Sequence, residues 1–445
     1  MRHKISYSAI CMLALAALAV MPALARESGR HKGASGDANR ITADKTGVLT
    51  TSEGLRLHLV ADIGNVKIKT QDAESVNYRV HLETDAGGSD AQRLLDEFQV
   101  VARETEDGVV IGSRSPERHW GQRLSVTFEV TIPKNYSVDV ATAGGDIDFE
   151  GFNGRAILAT DGGNITGGNL DGAARVTTDG GNITLKDVTG DLVATTGGGD
   201  ISAGTVGGSA VLRTGGGLVR LGSVAGIGRI ETGGGNIYVG RSSAGLGVST
   251  GGGQIEVGEA AGIVRAQTGG GGIRIVRSIG PTRLDTGSGS IYLTQAENAV
   301  RASTGSGGIT AWFSRGAKLS GPCKLEAGEG DIFVYLPKML AITVDAEIEL
   351  GSDHRVIVDP SLHLKVIYGD REERNNAIRA EGSLNGGGET LVVRTVSGNI
   401  HLLVNDAESE KKQMEILQQQ MEQLRRQLGM QLLKLQTQTP PPDQQ

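Results

Sequence analysis

Aromatic residues are scarce in this chain: only 3% of its 445 residues are Phe, Trp or Tyr. Aromatic side chains normally supply much of the buried area of a globular core. A conventional aromatic-rich core is therefore excluded, and we expect a thin, repetitive one. Glycine, by contrast, reaches 68 residues, which favours a fold with many close backbone approaches.

Long apolar runs are confined to the start of the chain. Arg2, His3 and Lys4 form a basic beginning, Ile5–Met21 is mostly apolar, and Ala23-Leu24-Ala25 provides a small-x-small cleavage site. We predict a signal peptide that exports the protein to the periplasm, the cell surface or the medium, with a membrane anchor as the alternative. No later stretch is apolar enough to span a bilayer, so we expect no transmembrane segment after cleavage.

The chain has only 2 cysteines, and its 44 basic residues are fewer than its 51 acidic ones. Cys11 lies inside the predicted signal peptide, so Cys323 is the single cysteine left after processing and cannot form an internal disulfide. We expect it to act as a small buried hydrophobic residue. The formal net charge of −7 argues against nucleic acid or an anionic membrane as the main partner.

The dominant feature that is present is an eighteen-residue repeat without a single slip. A threonine recurs at Thr142, Thr160, Thr178, Thr196, Thr214, Thr232, Thr250, Thr268, Thr286 and Thr304. Five residues after each threonine stands Ile147, Ile165, Ile183, Ile201, Val219, Ile237, Ile255, Ile273, Ile291 or Ile309. A glycine follows each threonine by three residues. Such a period predicts stacked supersecondary units that share one continuous core.

The spacing within a repeat predicts short strands. Small or apolar residues recur in two-residue steps, which place side chains on one face of a strand. We predict an all-β, single-stranded parallel β-helix (β-solenoid) with three short segments per coil. An antiparallel meander with glycine hairpins is the alternative. The threonine column shares its face with apolar residues, so we expect it to point inward and bond to neighbouring threonines or the backbone.

Changes in composition along the chain divide it into seven predicted segments. The predicted segments are a signal peptide at 1–25, a flexible leader at 26–46, a β-rich N-terminal cap at 47–137, regular repeats at 138–316, irregular coils and a cap at 317–404, an amphipathic helix at 405–437 and a disordered tail at 438–445. The helix carries an apolar stripe of nearly heptad spacing, from which we expect homo-oligomers. Its residues are Met414, Leu417, Met421, Leu424, Leu428, Leu432 and Leu435.

The chain resembles the bacterial β-strand-repeat "putative adhesin" family, whose function is unknown. The matching features are the signal peptide, Val130-Thr131-Ile132-Pro133, the repeated T-x-G-G-[DN]-I motif, Leu336-Pro337, and Gly386-Gly387-Gly388 before Thr395. The resemblance covers roughly residues 47–404. It implies an exported β-solenoid associated with the cell surface or envelope, without known catalytic residues.

Catalytic and metal-binding patterns are weak. The histidines lack metal-ligand spacing, and we expect no metal or cofactor. Asp161 and Asp179 stack one residue after the threonine, and a further Asx column stands four residues after it. We expect Asx side chains at these turns to bond their own backbone. Uninterrupted repeats leave no loops to form the walls of a cleft, so we do not expect an enzyme.

One outward column is a candidate ligand site. Fifteen residues after the threonine stand Arg175, Arg229, Arg265, Arg283 and Arg301, a stripe suited to anionic glycans or phosphates. A solvated mixed surface is the alternative, because Glu231 and Asp285 lie nearby. Our leading hypothesis is a non-catalytic envelope scaffold or adhesin-like protein that binds glycans or cell-wall polymers. A self-assembling filament comes second, and a polysaccharide-active enzyme third.

Overall fold

The computed structural model describes residues 40–86, 88–115, 124–351, 353–369 and 376–405, together with Glu415. Contacts divide the chain into two compact units. The first contains the described residues up to Gly226 and Ile230–Gly233, and the second contains Ile227–Arg229 and the described residues from Gly234. In each unit the strands form two long parallel sheets, here called sheets A and B. This regular all-β arrangement is consistent with the predicted β-solenoid.

The N-terminal part of the first unit precedes the regular repeats. Its elements are β1 Ile41–Thr50, β2 Arg56–Ala61, β3 Asn65–Gln71, β4 Ser75–Thr84, α1 Gly88–Glu97, β5 Gln99–Thr105, β6 Gly108–Arg114 and β7 Leu124–Pro133. Strand β1 pairs antiparallel with β4 from Ile41 to Thr50. The flexible leader predicted for residues 26–46 is therefore wrong from Ile41 onward, where backbone hydrogen bonds to β4 hold the chain.

The repeats of the first unit follow. Their strands are β8 Ser137–Thr142, β9 Ile147–Phe149, β10 Phe152–Asn153, β11 Ala156–Thr160, β12 Ile165–Gly167, β13 Leu170–Asp171, β14 Ala174–Thr178, β15 Ile183–Leu185, β16 Leu192–Thr196, β17 Ile201–Val206, β18 Ala210–Thr214, β19 Val219–Val224 and β20 Gly228–Thr232. The first two residues of β20 are assigned to the second unit. Each repeat has three strands up to β14. From β17 onward the first two strands of a repeat merge into one, so the prediction of three segments holds only for the early coils.

The second unit continues the same pattern and ends in less regular elements. These are β21 Ile237–Ser242, β22 Leu246–Thr250, β23 Ile255–Ala260, β24 Val264–Thr268, β25 Ile273–Ser278, β26 Thr282–Thr286, β27 Ile291–Ala296, β28 Val300–Ser306, β29 Ile309–Phe313, β30 Cys323–Glu329, β31 Ile332–Pro337, β32 Ile342–Ile348, β33 Val356–Val358, a 3₁₀ helix Pro360–Leu362, β34 Lys365–Tyr368, β35 Ile378–Leu384, β36 Glu389–Ser397 and β37 Ile400–Asn405.

Successive repeats pair in parallel, one period apart. Thr160 lies beside Thr178, and Ile165 beside Ile183. The second unit pairs in the same way, with Thr250 beside Thr268. Within these repeats the antiparallel alternative is therefore wrong. The eighteen-residue period sets the register because one coil must return to the same point above its predecessor.

Coil order in space departs from chain order in the outer part of each unit. In the first unit β2 lies between β6 and β8, and β3 lies between β7 and β9. In the second unit β36 lies between β30 and β32, and β37 between β31 and β33. Residues 56–71 of the predicted N-terminal cap thus form a coil that lies in register with the regular repeats predicted from residue 138.

The core consists of the predicted columns. Ile165, Ile183, Ile201, Ile237 and Ile255 are at most 1% exposed. The threonine column is equally inward-facing, with exposures from 1% to 7% at Thr160, Thr178, Thr196, Thr214, Thr232 and Thr250. Burying each isoleucine side chain contributes roughly 1.5–3 kcal/mol, which helps to offset the cost of ordering a glycine-rich chain.

Candidate functional site: a cationic stripe on sheet B

The inward threonines are structural clamps: their hydroxyls bond to the backbone and are not available to a ligand. The hydroxyl of Thr178 donates to the Gly163 carbonyl of the preceding coil at 2.9 Å and accepts the Gly181 N–H of its own coil at 3.1 Å. The other threonines of the repeats bond to backbone in the same way. The threonine hydroxyls were predicted to bond either to neighbouring threonines or to the backbone. In the structure they bond to the backbone.

The Asx column is structural too, although its bonding differs from the prediction. Asn164 Oδ1 accepts the backbone N–H of Asn182, one coil later, at 2.9 Å, and Asn182 Oδ1 accepts that of Asp200 at 2.8 Å. The expectation that these side chains bond their own backbone is wrong. Parallel stacking places the backbone N–H of the next coil within hydrogen-bond distance of the side-chain oxygen, so the side chain links adjacent turns.

The outward arginine column is exposed at all five predicted positions, Arg175, Arg229, Arg265, Arg283 and Arg301. In the first unit Arg175 lies between Ile157 and Val193 on the adjacent strands, without a neighbouring cation in its column. In the second unit Arg265 lies beside Arg283, and Arg283 beside Arg301. The structure therefore brings three of the five together and leaves Arg175 alone.

The structure adds Lys324 to this group. Lys324 lies beside Arg301 and is also exposed. Sequence reasoning missed it because extra residues between β29 and β30 shift the repeat out of phase. A degenerate copy of the repeat at Ala327-Gly328-Glu329-Gly330-Asp331-Ile332 held the signal, because Lys324 stands three residues before Ala327, as Arg301 stands three residues before Thr304. We call Arg265, Arg283, Arg301 and Lys324 the cationic stripe.

Like charges on adjacent strands repel one another. Strands lie ~4.8 Å apart, so the stripe is about 14 Å long at the backbone. Two unit charges about 4 Å apart repel by roughly 1 kcal/mol even in water, and directly opposed like charges destabilise a sheet. Four cations on successive strands therefore destabilise the folded state.

Two carboxylates offset part of this repulsion. Asp285 Oδ2 accepts from Arg283 Nε at 2.8 Å, and this hydrogen bond raises the pKa of the guanidinium. Glu326 Oε1 lies 2.8 Å from Lys324 Nζ. Among the residues that the structure describes, no carboxylate forms an ion pair with Arg265 or Arg301. The stripe is thus open to an anionic ligand at these two positions.

Carboxylates elsewhere do not form a metal centre in the described part of the chain. Burial, and then the charge of Asp179, raises the pKa of Asp161. Burial, and then the charge of Asp146, raises the pKa of Asp148. No group of three or more His, Cys, Asp or Glu residues in the described ranges is placed to hold a metal ion.

Two further predictions concern residues that the structure does not describe. The apolar stripe from Met414 to Leu435 and the signal peptide lie outside the described residues, so oligomerisation and export stay predictions. In the ranges that are described, no helix has the length and apolar character needed to cross a membrane.

The fold and site define a parallel β-repeat protein with a charged outer face, and sequence comparison assigns its family. The chain matches the family described as Toastrack DUF4097 over residues 57–403, and it belongs to that family. No curated protein matches the chain.

Three solved structures are similar to parts of the chain. A "putative adhesin" from Bacteroides fragilis is 15% identical, with a TM-score of 0.30, and the match covers 59% of this chain and 100% of that one. A "putative cell adhesion protein" from Clostridium sporogenes is 10% identical, with a TM-score of 0.17 and coverages of 82% and 100%. A "putative lipid binding protein" from Parabacteroides distasonis is 12% identical, with a TM-score of 0.20 and coverages of 67% and 95%.

Proposed function

We propose that this protein is an exported, non-catalytic scaffold or adhesin-like protein of the bacterial envelope that binds anionic glycans or cell-wall polymers through the cationic stripe. The observation that supports the proposal is the alignment of Arg265, Arg283, Arg301 and Lys324 on adjacent strands. A polymer with one anionic group per few ångströms would relieve their mutual repulsion. Arginine suits this role because its planar guanidinium pairs with carboxylate, sulfate or phosphate through two hydrogen bonds.

The flatness of the site favours a polymer over a small ligand. Each stripe residue is exposed and stands on a short strand of a regular sheet, so no wall encloses it. A small anion held by one or two exposed cations binds weakly because water competes and salt screens the charges. A polymer contacts several cations at once, and its affinity grows with their number.

The test compares two triple variants of the full chain. R265Q/R283Q/R301Q removes the stripe arginines, while R241Q/R274Q/R277Q removes three arginines from sheet A of the same unit and changes the net charge equally. Binding to dextran sulfate and to neutral dextran is measured by titration at low and high salt. We expect a loss of at least ten-fold for the stripe variant, less than two-fold for the control, and no binding to neutral dextran. Equal losses in both variants would refute the stripe as the site.

The alternative of an end-to-end filament has less support. Three of the outermost strands pair antiparallel with their neighbours, β1 with β4 and β5 with β6 in the first unit, and β34 with β35 in the second, whereas β33 pairs parallel with β37. The three antiparallel strands do not present the parallel register in which the repeats stack. Such ends hinder addition of another copy in that register.

A further inference from the structure

A second surface of the second unit is distinct from the stripe. On the outward face of sheet A, strands β27, β29, β31, β37 and β33 lie side by side in that order. They carry a partly or fully exposed group that we call the aromatic face: Tyr292, Trp312, Phe333, Tyr335, Ile357, His401 and Leu403. Tyr292 is 40% and Ile357 42% exposed. Aromatic residues make up only 3% of the chain, so their concentration here is a marked departure from its composition.

The corresponding column in the first unit is polar. Asp148, Thr166, Thr184 and Ser202 occupy successive outward positions there. The β-solenoid therefore does not require aromatic residues at these positions. The aromatic face is interrupted by Thr310, which lies between Tyr292 and Phe333. A largely apolar exposed surface of this kind marks a contact site, because water leaves it favourably when a partner covers it.

The ring geometry indicates what kind of partner fits. The rings of Trp312 and Tyr335 stack with centroids 3.6 Å apart and planes 10° from parallel. Phe333 and His401 stack at 4.2 Å and 12°. Because these faces already contact each other, mainly ring edges and the adjoining aliphatic groups remain for a partner. Apolar side chains can pack against such a surface, whereas a sugar ring needs an open aromatic face.

The chain itself supplies a segment of matching chemistry. Strand β37 carries His401 and Leu403 of the aromatic face and ends at Asn405, where the amphipathic segment begins. As a helix, Met414 to Leu428 would extend about 21 Å at 1.5 Å per residue. Five strands at ~4.8 Å spacing present an aromatic face about 19 Å wide, so the two lengths agree.

We propose that residues 414–428 form a helix whose apolar stripe packs on the aromatic face of the same chain. Residues 406–413 provide a connection of up to ~27 Å when extended, enough to start the helix at either edge of the face. Attachment to β37 gives the segment a high effective concentration at this surface, which favours the intramolecular contact over the association between chains that the sequence pattern predicts. The proposal therefore replaces that prediction. Helix and face each bury an apolar surface that would otherwise be exposed.

Trp312 is a built-in probe for this contact. The chain's other tryptophan, Trp120, is replaced in a W120F background, so that fluorescence reports Trp312 alone. The full-length variant L417E/L424E places two charges in the apolar stripe. Its matched control, Q419E/Q423E, adds the same charge on the opposite side of the predicted helix. Acrylamide quenching and emission maximum are measured over a hundred-fold range of protein concentration, with the mass followed by light scattering.

We expect L417E/L424E to red-shift the Trp312 emission and to increase its quenching at least two-fold, while the control stays like the parent. The difference should be independent of protein concentration, and the parent should scatter as a monomer. Equal quenching in all three proteins would overturn the proposal. A difference that appears only at high concentration, together with a larger mass, would also overturn it and would favour self-association through the stripe.

Discussion

The threonine clamp makes a sharp stability prediction at Thr178. Its hydroxyl joins the Gly163 carbonyl and the Gly181 N–H at 2.9 and 3.1 Å, and the residue is 1% exposed. Thr178→Val keeps the β-branched shape and the strand preference but removes the hydroxyl. Leaving a buried donor or acceptor unpaired costs about 1–3 kcal/mol per group. With two groups affected, we expect a loss of about 2–6 kcal/mol in the free energy of unfolding.

Two controls separate the hydrogen bonds from other effects. Thr177→Val makes the same change one residue earlier on the outward face of the same strand and should alter stability by less than about 0.5 kcal/mol. Thr178→Ser keeps the hydroxyl and loses one methyl group, which costs about 0.8 kcal/mol.

Urea unfolding followed by circular dichroism gives the three stability differences, provided that the m-value is unchanged. Because repeat arrays can unfold in parts, amide exchange at Gly181 supplies a local measure. If Thr178→Val is no more destabilising than Thr177→Val, the hydroxyl is not a clamp and the reasoning fails.

Three further outcomes are expected. Gly181→Ala would put a Cβ 2.0 Å from the Gly163 carbonyl oxygen and should cost about 3 kcal/mol or more by thermal melting, whereas Gly180→Ala meets no atom within 4 Å and should change little. Burial raises the pKa of Cys323 to about 11, so its thiol should react with Ellman's reagent at pH 8 only after unfolding; rapid reaction in the native state would contradict this. Burial alone would raise the pKa of Asp44, but hydrogen bonds and charges from Arg79 and His81 outweigh it and lower the pKa below 3.8. The stabilisation is therefore present above pH 3.8 and lost as the pH falls through the lowered pKa, so the wild-type advantage over Asp44→Asn in urea unfolding should shrink as the pH falls below 4.

Prediction from sequence succeeded where one period controls the geometry. The inward Thr178 and Ile183, the parallel register and the exposed Arg265 all follow from residues that return to the same place in each coil. It failed where the period breaks. Lys324 was missed because extra residues precede it, and the strand at Ile41 was taken for leader because its composition is polar.

The sequence by itself determined the repeat, the two buried columns and the outward arginines, because periodic spacing fixes which side chains share a face. Only the tertiary structure decided that Lys324 extends the arginine column and that β2 and β36 lie between strands distant in the chain. It also decided that Trp312, Phe333 and His401 meet on one face of sheet A. These features depend on pairing between segments far apart in sequence, and no local pattern specifies such pairing.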